Sequence, residues 1–507
     1  MISNTRWNVV ALVVVLATVI ALIMPSHFAT AFDVSRMTPV ADRNIRTGNK
    51  MLIEKEIIEE RQVVSENDSN STQAEVALDE DMSFPGEDDG DSDDGVLDVN
   101  EIPVRYDEAQ LWRVYNISNA MSRRNMLPLG DILESKYGGT IWKENSKFLD
   151  VSIDKKHVKA ARAFLEDHNL NTEVLNYNIQ EMIDNEAAVG ANLTQSEAGQ
   201  RTKKAARSGI HWKDYHDLDT IYAFMREIRG KFPNICRLYT IGKTAEGRDL
   251  KVLRISENAE ENANQIWIDG GTHAREWITP ATVTYIIQRL MAKWDEQPAY
   301  IRDKTWYFMP MVNPDGYVYS RQIDRLWRKN RAPHSKRSRC IGVDINRNFN
   351  IGWNTVGSSK DPCKFTYHGP APFSEMETQA ILNFFEDKTD MVAYLTFHSY
   401  GQMLLYPYGH KAARYMYAPA LKRVGNEAAQ IIKQKTGRKY RVGSRNEWLP
   451  PAGGGADDWA CSKLGAKYVY TIELRDRGNF GFILPPSQII QTAFEGYTLV
   501  EAVARDI

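Results

Sequence analysis

The sequence predicts an α/β protein in which a small α/β unit precedes a large domain built around a mostly parallel sheet. Strand-like apolar runs alternate with helical patterns throughout residues 212–507, as in proteins whose parallel strands are joined by helices. Residues 103–185 repeat this alternation on a smaller scale. Hydrophobic residues make up 43% of the 507 residues, which excludes a wholly disordered or fibrous chain and allows a large core.

The N-terminal residues have the features of an export signal. Arg6 precedes an apolar run from Val9 to Met24, and the small residues Ala29 and Ala31 follow, so we predict a signal peptide over residues 1–31. A signal anchor is the alternative, although the run is shorter than the about 20 residues that span a bilayer. In either case the rest of the chain is exported, and we expect a secreted, extracellular protein without a stable membrane span.

Residues 32–102 are polar and end in an acidic run interleaved with Gly and Ser. Such a segment cannot bury enough apolar surface to fold, so we expect a disordered acidic extension. N-glycosylation sequons occur here at Asn67 and Asn70, and later at Asn116 and Asn192, which predicts a glycoprotein.

The small unit is expected over residues 103–185, and a linker over residues 186–208. The predicted elements of the unit are strands at Leu111 to Tyr115, Phe148 to Ile153 and Thr172 to Leu175, with a helix at Val158 to Leu165. The linker is polar and ends in a basic cluster from Arg201 to Arg207. A basic cluster in a pliable linker is a natural protease target, although an ordinary solvated linker is the alternative.

The large domain is expected over residues 209–507. Its predicted strands are Leu250 to Ile255, Gln265 to Asp269, Thr305 to Pro310, Met391 to Phe397 and Tyr468 to Ile472. Its predicted helices are Leu218 to Arg229, Thr279 to Trp294, Glu375 to Asp387 and Tyr415 to Thr436.

The net charge of −3 conceals a strong asymmetry along the chain. Residues 209–507 carry 41 Lys and Arg against 32 Asp and Glu, a balance of +9, whereas residues 1–208 carry 22 against 34, a balance of −12. The sign changes at the basic cluster, which favours a detachable acidic segment. Nucleic-acid binding is not supported, because the basic residues are dispersed and no recognition motif accompanies them.

Four cysteines in an exported chain should mostly be paired. Cys340 and Cys363 are close in sequence and are the favoured pair. The spacing of Cys236 and Cys461 does not decide whether they pair or stay free.

Three residues can form a metal site. His273 and Glu276 lie in a turn after a predicted strand, and His398 directly follows another strand. Ligands often bind at these strand ends in α/β proteins. Two His and one Glu with an open water position make a catalytic zinc arrangement, although a His beside a Glu is also a common surface pair.

Further polar residues can support chemistry beside a metal. Glu473 ends an apolar strand, where a buried carboxylate is costly unless its charge is used, so it is either paired with an Arg or a general base. Arginine and asparagine residues that can bind carboxylates or oxyanions cluster nearby in sequence, at Arg325, Arg328, Asn346 and Arg347. Composition alone would place these arginines on the surface.

Together these motifs resemble the secreted zinc metallocarboxypeptidases of the pancreatic carboxypeptidase A/B type. The resemblance runs from about Tyr106 to the C-terminus and includes His-Ala-Arg-Glu-Trp at 273–277, Asn-Arg-Asn at 346–348, Pro-Phe-Ser-Glu at 372–375, His-Ser-Tyr at 398–400 and Glu-Leu-Arg-Asp at 473–476. It implies a large mixed eight-stranded sheet flanked by helices. It also implies that the small unit is an inhibitory pro-domain of ferredoxin-like fold, and that a serine protease cuts the linker on activation.

The resemblance also implies roles for individual residues. The implied ligands of one Zn²⁺ are His273, Glu276 and His398. The implied catalytic residues are Glu473 as general base and acid and Arg328 as oxyanion stabiliser. The implied substrate-binding residues are Asn346 and Arg347 at the terminal carboxylate, with Arg275, Arg325 and Tyr400 at neighbouring positions. Cys340 and Cys363 match the common disulfide of the family.

Two further positions bear on specificity and activity. Asp457 lies where B-type enzymes have an acid, which implies selection of C-terminal Lys or Arg. Pro450 lies where the family has a mobile tyrosine that covers bound substrate, and the Pro450–Pro451 pair should stiffen this loop.

The sequence therefore predicts a secreted zinc carboxypeptidase that is made as a zymogen, removes C-terminal Lys or Arg and acts as a monomer on peptide or protein C-termini. The alternative, suggested by Pro450, is a catalytically weak or inactive binding protein with the same fold. An A-type enzyme that prefers apolar C-termini is a second alternative, against which Asp457 argues.

Overall fold

The structure is a computed structural model of the 507-residue chain, and it describes residues 101–117, 128–198, 208–257, 264–334, 340–388 and 391–507. The predicted signal peptide, almost all of the acidic extension with Asn67 and Asn70, and the cluster from Arg201 to Arg207 lie outside the described residues. Within the described ranges, no helix is long and apolar enough to cross a membrane.

The small unit is a four-stranded antiparallel sheet with helices on one side. Its strands are β1 (Gln110–Tyr115), β2 (Thr140–Glu144), β3 (Phe148–Ile153) and β4 (Thr172–Asn176), in the order β2-β3-β1-β4. Helix α1 (Leu129–Tyr137) follows β1, and α2 (Val158–Asp167) follows β3. This β-α-β-β-α-β order is that of the ferredoxin-like fold, as the sequence predicted.

Both faces of the small sheet are buried, but against different partners. Trp112 packs with Leu133 of α1 and Leu165 of α2. Leu111, which points to the opposite face because side chains alternate along a strand, joins an apolar cluster with Phe482 of the large domain. The sheet therefore has one side covered by its own helices and another that covers the large domain. A further helix, α3 (Ile179–Ala198), crosses the expected linker boundary at 185/186.

The large domain is built on a mixed eight-stranded sheet. Its strands are β5 (Cys236–Lys243), β6 (Asp249–Ile255), β7 (Gln265–Asp269), β8 (Thr305–Met309), β9 (Met391–His398), β10 (Met403–Tyr406), β11 (Arg441–Ser444) and β12 (Tyr468–Glu473). The strand order is β11-β10-β12-β9-β7-β8-β6-β5. The central strands β12, β9, β7 and β8 run parallel. Strand β10 is antiparallel to β12 but parallel to the edge strand β11, and β6 is antiparallel to both β5 and β8. The predicted mixed sheet is confirmed.

Helices cover this sheet. They are α4 (Leu218–Lys231), α5 (Ile278–Met291), α6 (Ala299–Arg302), α7 (Pro314–Gln322), α8 (Met376–Phe384), α9 (Ala418–Thr436), α10 (Arg445–Trp448), α11 (Ala456–Lys463) and α12 (Ile489–Asp506). Short 3₁₀ turns occur at Lys155–His157, Trp294–Glu296, Ile345–Arg347 and Pro486–Gln488. Every residue of β7 and β8 is buried, because parallel strands under two helical layers have no solvent face.

The parallel register brings distant residues together at one edge of the sheet. Glu473 at the end of β12 is paired with His398 at the end of β9, and Asp269 at the end of β7 is paired with Thr396 of β9. Because the carboxyl ends of parallel strands meet at the same edge, this edge collects the polar residues that the sequence singled out.

The cysteines divide into one bridge and two free thiols. Cys340 and Cys363 form a disulfide. Cys236 and Cys461 are buried and free, and burial raises the pKa of each thiol to about 12, which keeps both thiols protonated and unreactive at neutral pH.

Candidate active site

The three predicted metal-binding residues lie at the ends of two neighbouring parallel strands. His273 and Glu276 are in the turn between β7 and α5, and His398 is the last residue of β9. Gly271 allows this turn, because its φ of +69° is left-handed and a Cβ there would lie 2.8 Å from the sulfur of Met311.

The donor atoms of these residues converge in a buried cluster. His273 Nδ1 lies 2.8 Å from Glu276 Oε1, His398 Nδ1 lies 3.1 Å from Glu276 Oε2, and the two Nδ1 atoms are 3.2 Å apart. Ligands bound to tetrahedral Zn²⁺ at its usual bond lengths are roughly 3.3 Å apart. The three residues can therefore hold a metal ion, and their donor set and spacing fit zinc.

The outward nitrogens of the histidines are also engaged. His273 Nε2 lies 3.1 Å from Asp344 Oδ1, and His398 Nε2 lies 3.3 Å from the hydroxyl of Thr396, which itself donates to Asp269 at 2.6 Å. Such partners fix the orientation of a metal-binding imidazole and leave its other nitrogen free for the metal. Although burial works in the opposite direction, the charges of two nearby arginines hold the pKa of Asp344 well below its usual range, so it is a carboxylate.

Glu473 lies beside this cluster because β12 pairs in register with β9. Its side chain is half-buried and lines the same cavity as the two histidines. Burial raises the pKa of Glu473 above its ordinary value, while the positive charge of Lys143 acts in the opposite direction. A carboxylate with a raised pKa at this place is suited to take up and release a proton during a reaction.

A cavity of about 540 Å³ joins these groups to most of the predicted substrate-binding residues. Those that line it are Arg275, Arg328, Asn346, Arg347 and Tyr400. In the present arrangement Arg328 donates to Asp344 Oδ2 from Nε at 3.1 Å and from Nη2 at 2.8 Å. Burial lowers the pKa of Arg347 to about 10, and its Nη1 donates to the carbonyl of Asn346 at 2.8 Å.

Two predicted site residues do not reach the cavity wall. Arg325 is buried and forms a two-bonded pair with Glu186, at 2.6 and 3.0 Å, so here it binds helix α3, which continues past the small unit. Asp457 lies behind Thr471, whose hydroxyl donates to Asp457 Oδ2 at 2.9 Å, and Thr471 itself lines the cavity. Pro450 is exposed and forms part of the cavity wall.

The small unit enters the cavity through strand β2. Its side chains at Ile141, Trp142, Lys143 and Glu144 line the wall. Lys143 Nζ donates to the carbonyl of Tyr400, and the ring of Trp142 lies 5.2 Å from that of Phe482. Burial lowers the pKa of Lys143, and the negative charge of Glu473 counteracts this shift.

Strand β3 binds the same tyrosine from its other end. The hydroxyl of Tyr400 donates to Asp150 Oδ2 at 2.9 Å, and Arg113 of β1 holds Asp150 through two bonds of 2.6 and 2.7 Å. Tyr400 is thus bound by the small unit at both its backbone and its side chain.

Sequence reasoning missed three of these contributors. Asp344 lies two residues before the Asn-Arg-Asn motif, and nothing in the sequence indicates that it contacts His273. Lys143 and Asp150 lie in the alternating pattern of ordinary strands, and only the docking of the small sheet brings them beside residues more than 200 positions away. A local pattern carries no signal for such a contact.

A buried metal-binding cluster beside a carboxylate and several arginines defines a metal-dependent hydrolase of α/β architecture. The sequence model of the family described as "Zinc carboxypeptidase" matches residues 221–498, and that of "Carboxypeptidase activation peptide" matches residues 129–186. The chain is 34% identical to carboxypeptidase A4 of Mus musculus over 78% of the chain and 93% of that protein. It is 40% identical to carboxypeptidase B of Astacus astacus over 58% of the chain and 97% of that protein.

Solved structures show the same similarity. That of thrombin-activatable fibrinolysis inhibitor has a TM-score of 0.68 and 28% identity, covering 79% of this chain and 99% of the other. That of carboxypeptidase A from Helicoverpa armigera has a TM-score of 0.70 and 29% identity, covering 79% and 97%. The chain belongs to the zinc carboxypeptidase family, and it carries the activation peptide of a zymogen.

The contact between Asp344 and His273 leads to a prediction about metal affinity. We expect Asp344→Asn to weaken zinc binding by about 10- to 100-fold, the usual effect of losing such a partner, because the neutral amide orients the imidazole less strongly. Competition with a chelator of known affinity measures this without any need for turnover. Asp387→Asn, which changes an exposed acid remote from the cluster, should bind zinc like the unaltered protein, and equal affinity in both variants would contradict the role of Asp344.

Proposed function

We propose that this zinc carboxypeptidase is exported as a zymogen and, once activated, removes C-terminal Lys or Arg from peptides or proteins. The observation that carries the proposal is the convergence of His273, Glu276 and His398 with Glu473 in one cavity, which the predicted arginines Arg275, Arg328 and Arg347 also line. The proposed organisation is a signal peptide (1–31), an acidic extension (32–102), an inhibitory pro-domain (103–185), an activation linker (186–208) and a catalytic domain (209–507).

The residues present have the chemistry for peptide hydrolysis. His273, Glu276 and His398 would hold one Zn²⁺, which supplies a Lewis acid for the scissile carbonyl and for activating water. Glu473 takes the proton of the attacking water and gives it to the leaving amine. Arg328 donates to the developing oxyanion, and Asn346 and Arg347 hold the terminal carboxylate of the substrate.

Selection of a basic C-terminal residue rests on Asp457. Its carboxylate is buried directly behind the cavity wall, and a buried charge favours a substrate side chain of opposite sign over an apolar one. An A-type preference for apolar C-termini remains the competing specificity.

The non-catalytic alternative rests on Pro450. A tyrosine that closes over substrate contributes hydrogen bonding rather than metal chemistry, so its loss should weaken binding more than it slows the reaction. The presence of Glu473 together with all three proposed ligands favours an enzyme.

We further propose that the activated enzyme is an extracellular monomer, and that a serine protease activates it at the cluster from Arg201 to Arg207.

The proposed function can be tested with trypsin-treated protein and peptides that end in Arg, Lys, Phe or Leu. We expect Arg and Lys to be released fastest, a zinc chelator to abolish release, and added Zn²⁺ to restore it. If no peptide is cleaved although zinc is bound and the linker is cut, the result favours the non-catalytic binding protein over an enzyme. Preferential release of Phe would contradict the role of Asp457.

A further inference from the structure

The wall of the cavity includes Arg445, Leu449, Pro450, Ala452 and Thr471 in addition to Asn346 and Arg347. We call the part of the cavity lined by the first five residues the recess, because the proposed function places the side chain of the substrate's C-terminal residue there, in front of Asp457. Arg445 is the first residue of α10 and brings a positive charge to a recess behind which Asp457 is buried.

Arg445 is held against the wall by two contacts. Its Nη1 donates to the carbonyl of Pro450 at 3.0 Å. Its side chain also lies over Gly409, where a Cβ would be 2.7 Å from Cδ and 3.1 Å from Nη1 of Arg445. Gly409 is fixed in turn, because its N–H donates to both carboxylate oxygens of Asp458 at 2.9 and 3.0 Å. The absence of a side chain at position 409 therefore gives Arg445 its place.

The charges of Arg445 and Asp457 interact across the recess, and the two side chains are not hydrogen-bonded to each other. The oxygens of Asp457 accept from the hydroxyl of Thr471 and from the N–H of Asp458, each at 2.9 Å. Burial raises the pKa of Asp457 and Asp458 adds to the rise, whereas the charge of Arg445 lowers it. The recess thus holds one charge of each sign, with the cation at the wall and the anion behind it.

We propose that Arg445 is a second specificity-determining residue, which offsets the charge of Asp457 and reduces the preference for basic C-terminal residues. This inference rests on the proposed carboxypeptidase function. A Lys or Arg side chain in the recess is attracted by Asp457 but repelled by Arg445, so its advantage over a neutral side chain is smaller than Asp457 alone would give. An acidic side chain, in contrast, has Arg445 as a partner.

The test compares kcat/KM of the trypsin-activated enzyme for three peptides that differ only in a C-terminal Arg, Leu or Glu. In Arg445→Gln we expect the Arg-to-Leu ratio to rise about tenfold, because a like charge near the substrate cation is removed. In Asp457→Asn we expect that ratio to fall by about tenfold or more and the Glu-to-Leu ratio to rise, since Arg445 is then unopposed.

Three controls separate charge from shape. Arg445→Lys keeps the charge and should keep the wild-type ratios. The double variant Arg445→Gln/Asp457→Asn should discriminate little between charged side chains. Arg438→Gln removes an exposed arginine in the loop between α9 and β11, and should leave the ratios unchanged. Because ratios are compared, a uniform effect of Arg445 on the neighbouring carboxylate-binding residues cancels.

The outcomes are distinguishable. An Arg-to-Leu ratio in Arg445→Gln within twofold of wild type would overturn the inference, as would an equal rise in Arg445→Lys. Cleavage of Arg, Leu and Glu peptides by wild type with unaltered ratios in Arg445→Gln would leave the carboxypeptidase function standing while removing the role of Arg445. Failure of wild type to cleave any peptide would overturn both.

Discussion

Glu473→Gln is expected to keep zinc and to lose activity by about 10²- to 10⁴-fold, the range that removal of a general base covers. Glutamine has nearly the same shape but cannot accept a proton from water or return one to the leaving amine. The expectation follows from the register of the sheet, which pairs Glu473 with His398 and opens it to the same cavity. The measurement is kcat with a C-terminal Arg peptide after trypsin treatment, beside zinc content by metal analysis.

A matched control separates catalysis from damage to the fold. Glu386→Gln changes an exposed glutamate just after α8 and should retain wild-type kcat and zinc. Because the side chain of Glu473 is half-buried near Lys143 in the zymogen, the comparison is made after the pro-domain has been cut away. A kcat for Glu473→Gln within threefold of the control would remove Glu473 from the reaction, whereas loss of zinc would show that the substitution damages the metal site.

The fold was predictable where the sequence pattern is strong. The buried central strands have continuous apolar runs, and the long helices α4 and α9 have apolar residues at helical spacing. Strands β2, β5, β10 and β11 were not predicted, and neither were several helices, among them α7 and α12. β5 has mainly half-buried or exposed residues, and β10 and β11 have only four residues each, so none gives a strong periodic signal. Their places are set by pairing with neighbours.

The site was predictable to the extent that its residues lie in local motifs. His273 and Glu276 share a turn, and His398 and Glu473 end apolar strands, so their convergence follows once the strands are parallel. Arg325 shows what this reasoning leaves out, because the motif indicates a substrate-side arginine, which stays a prediction, but does not indicate the bonds of Arg325 to Glu186 of α3 in the zymogen. The contacts of Lys143 and Asp150 depend on domain docking, which no short-range pattern encodes.

The docking of the small unit gives the zymogen a specific electrostatic contact in addition to steric cover. Lys143 reaches the cavity from β2, donates to the backbone of Tyr400 and places its charge near Glu473. In the proposed reaction the amine of the product takes a proton from Glu473 after peptide cleavage. The ammonium group of Lys143 would therefore resemble the protonated amine of the product beside this carboxylate. The positive charge of Lys143 also opposes the rise in the pKa of Glu473, and this makes Glu473 a weaker base.

Lys143→Met is therefore expected to raise the activity of the uncleaved zymogen on a short C-terminal Arg peptide by about tenfold or more. The substitution removes the positive charge beside Glu473, so the pKa of Glu473 rises and it becomes a stronger base. Methionine keeps much of the length and apolar body of lysine, and the contacts of Trp142 with Phe482 and of Glu186 with Arg325 should keep the pro-domain docked. The measurement is kcat/KM of the intact zymogen, with electrophoresis to show that the linker is uncut.

Two comparisons make this prediction sharp. After trypsin removes the pro-domain, Lys143→Met and wild type should have equal activity, because the altered residue has left with the cleaved segment. Lys136→Met changes an exposed lysine of α1 and should leave the zymogen as inactive as wild type. If the Lys143→Met zymogen is equally inactive, latency comes from the cover that Trp142 and β2 provide. If it gains activity only together with rapid linker cleavage, the lysine acts on docking rather than on Glu473.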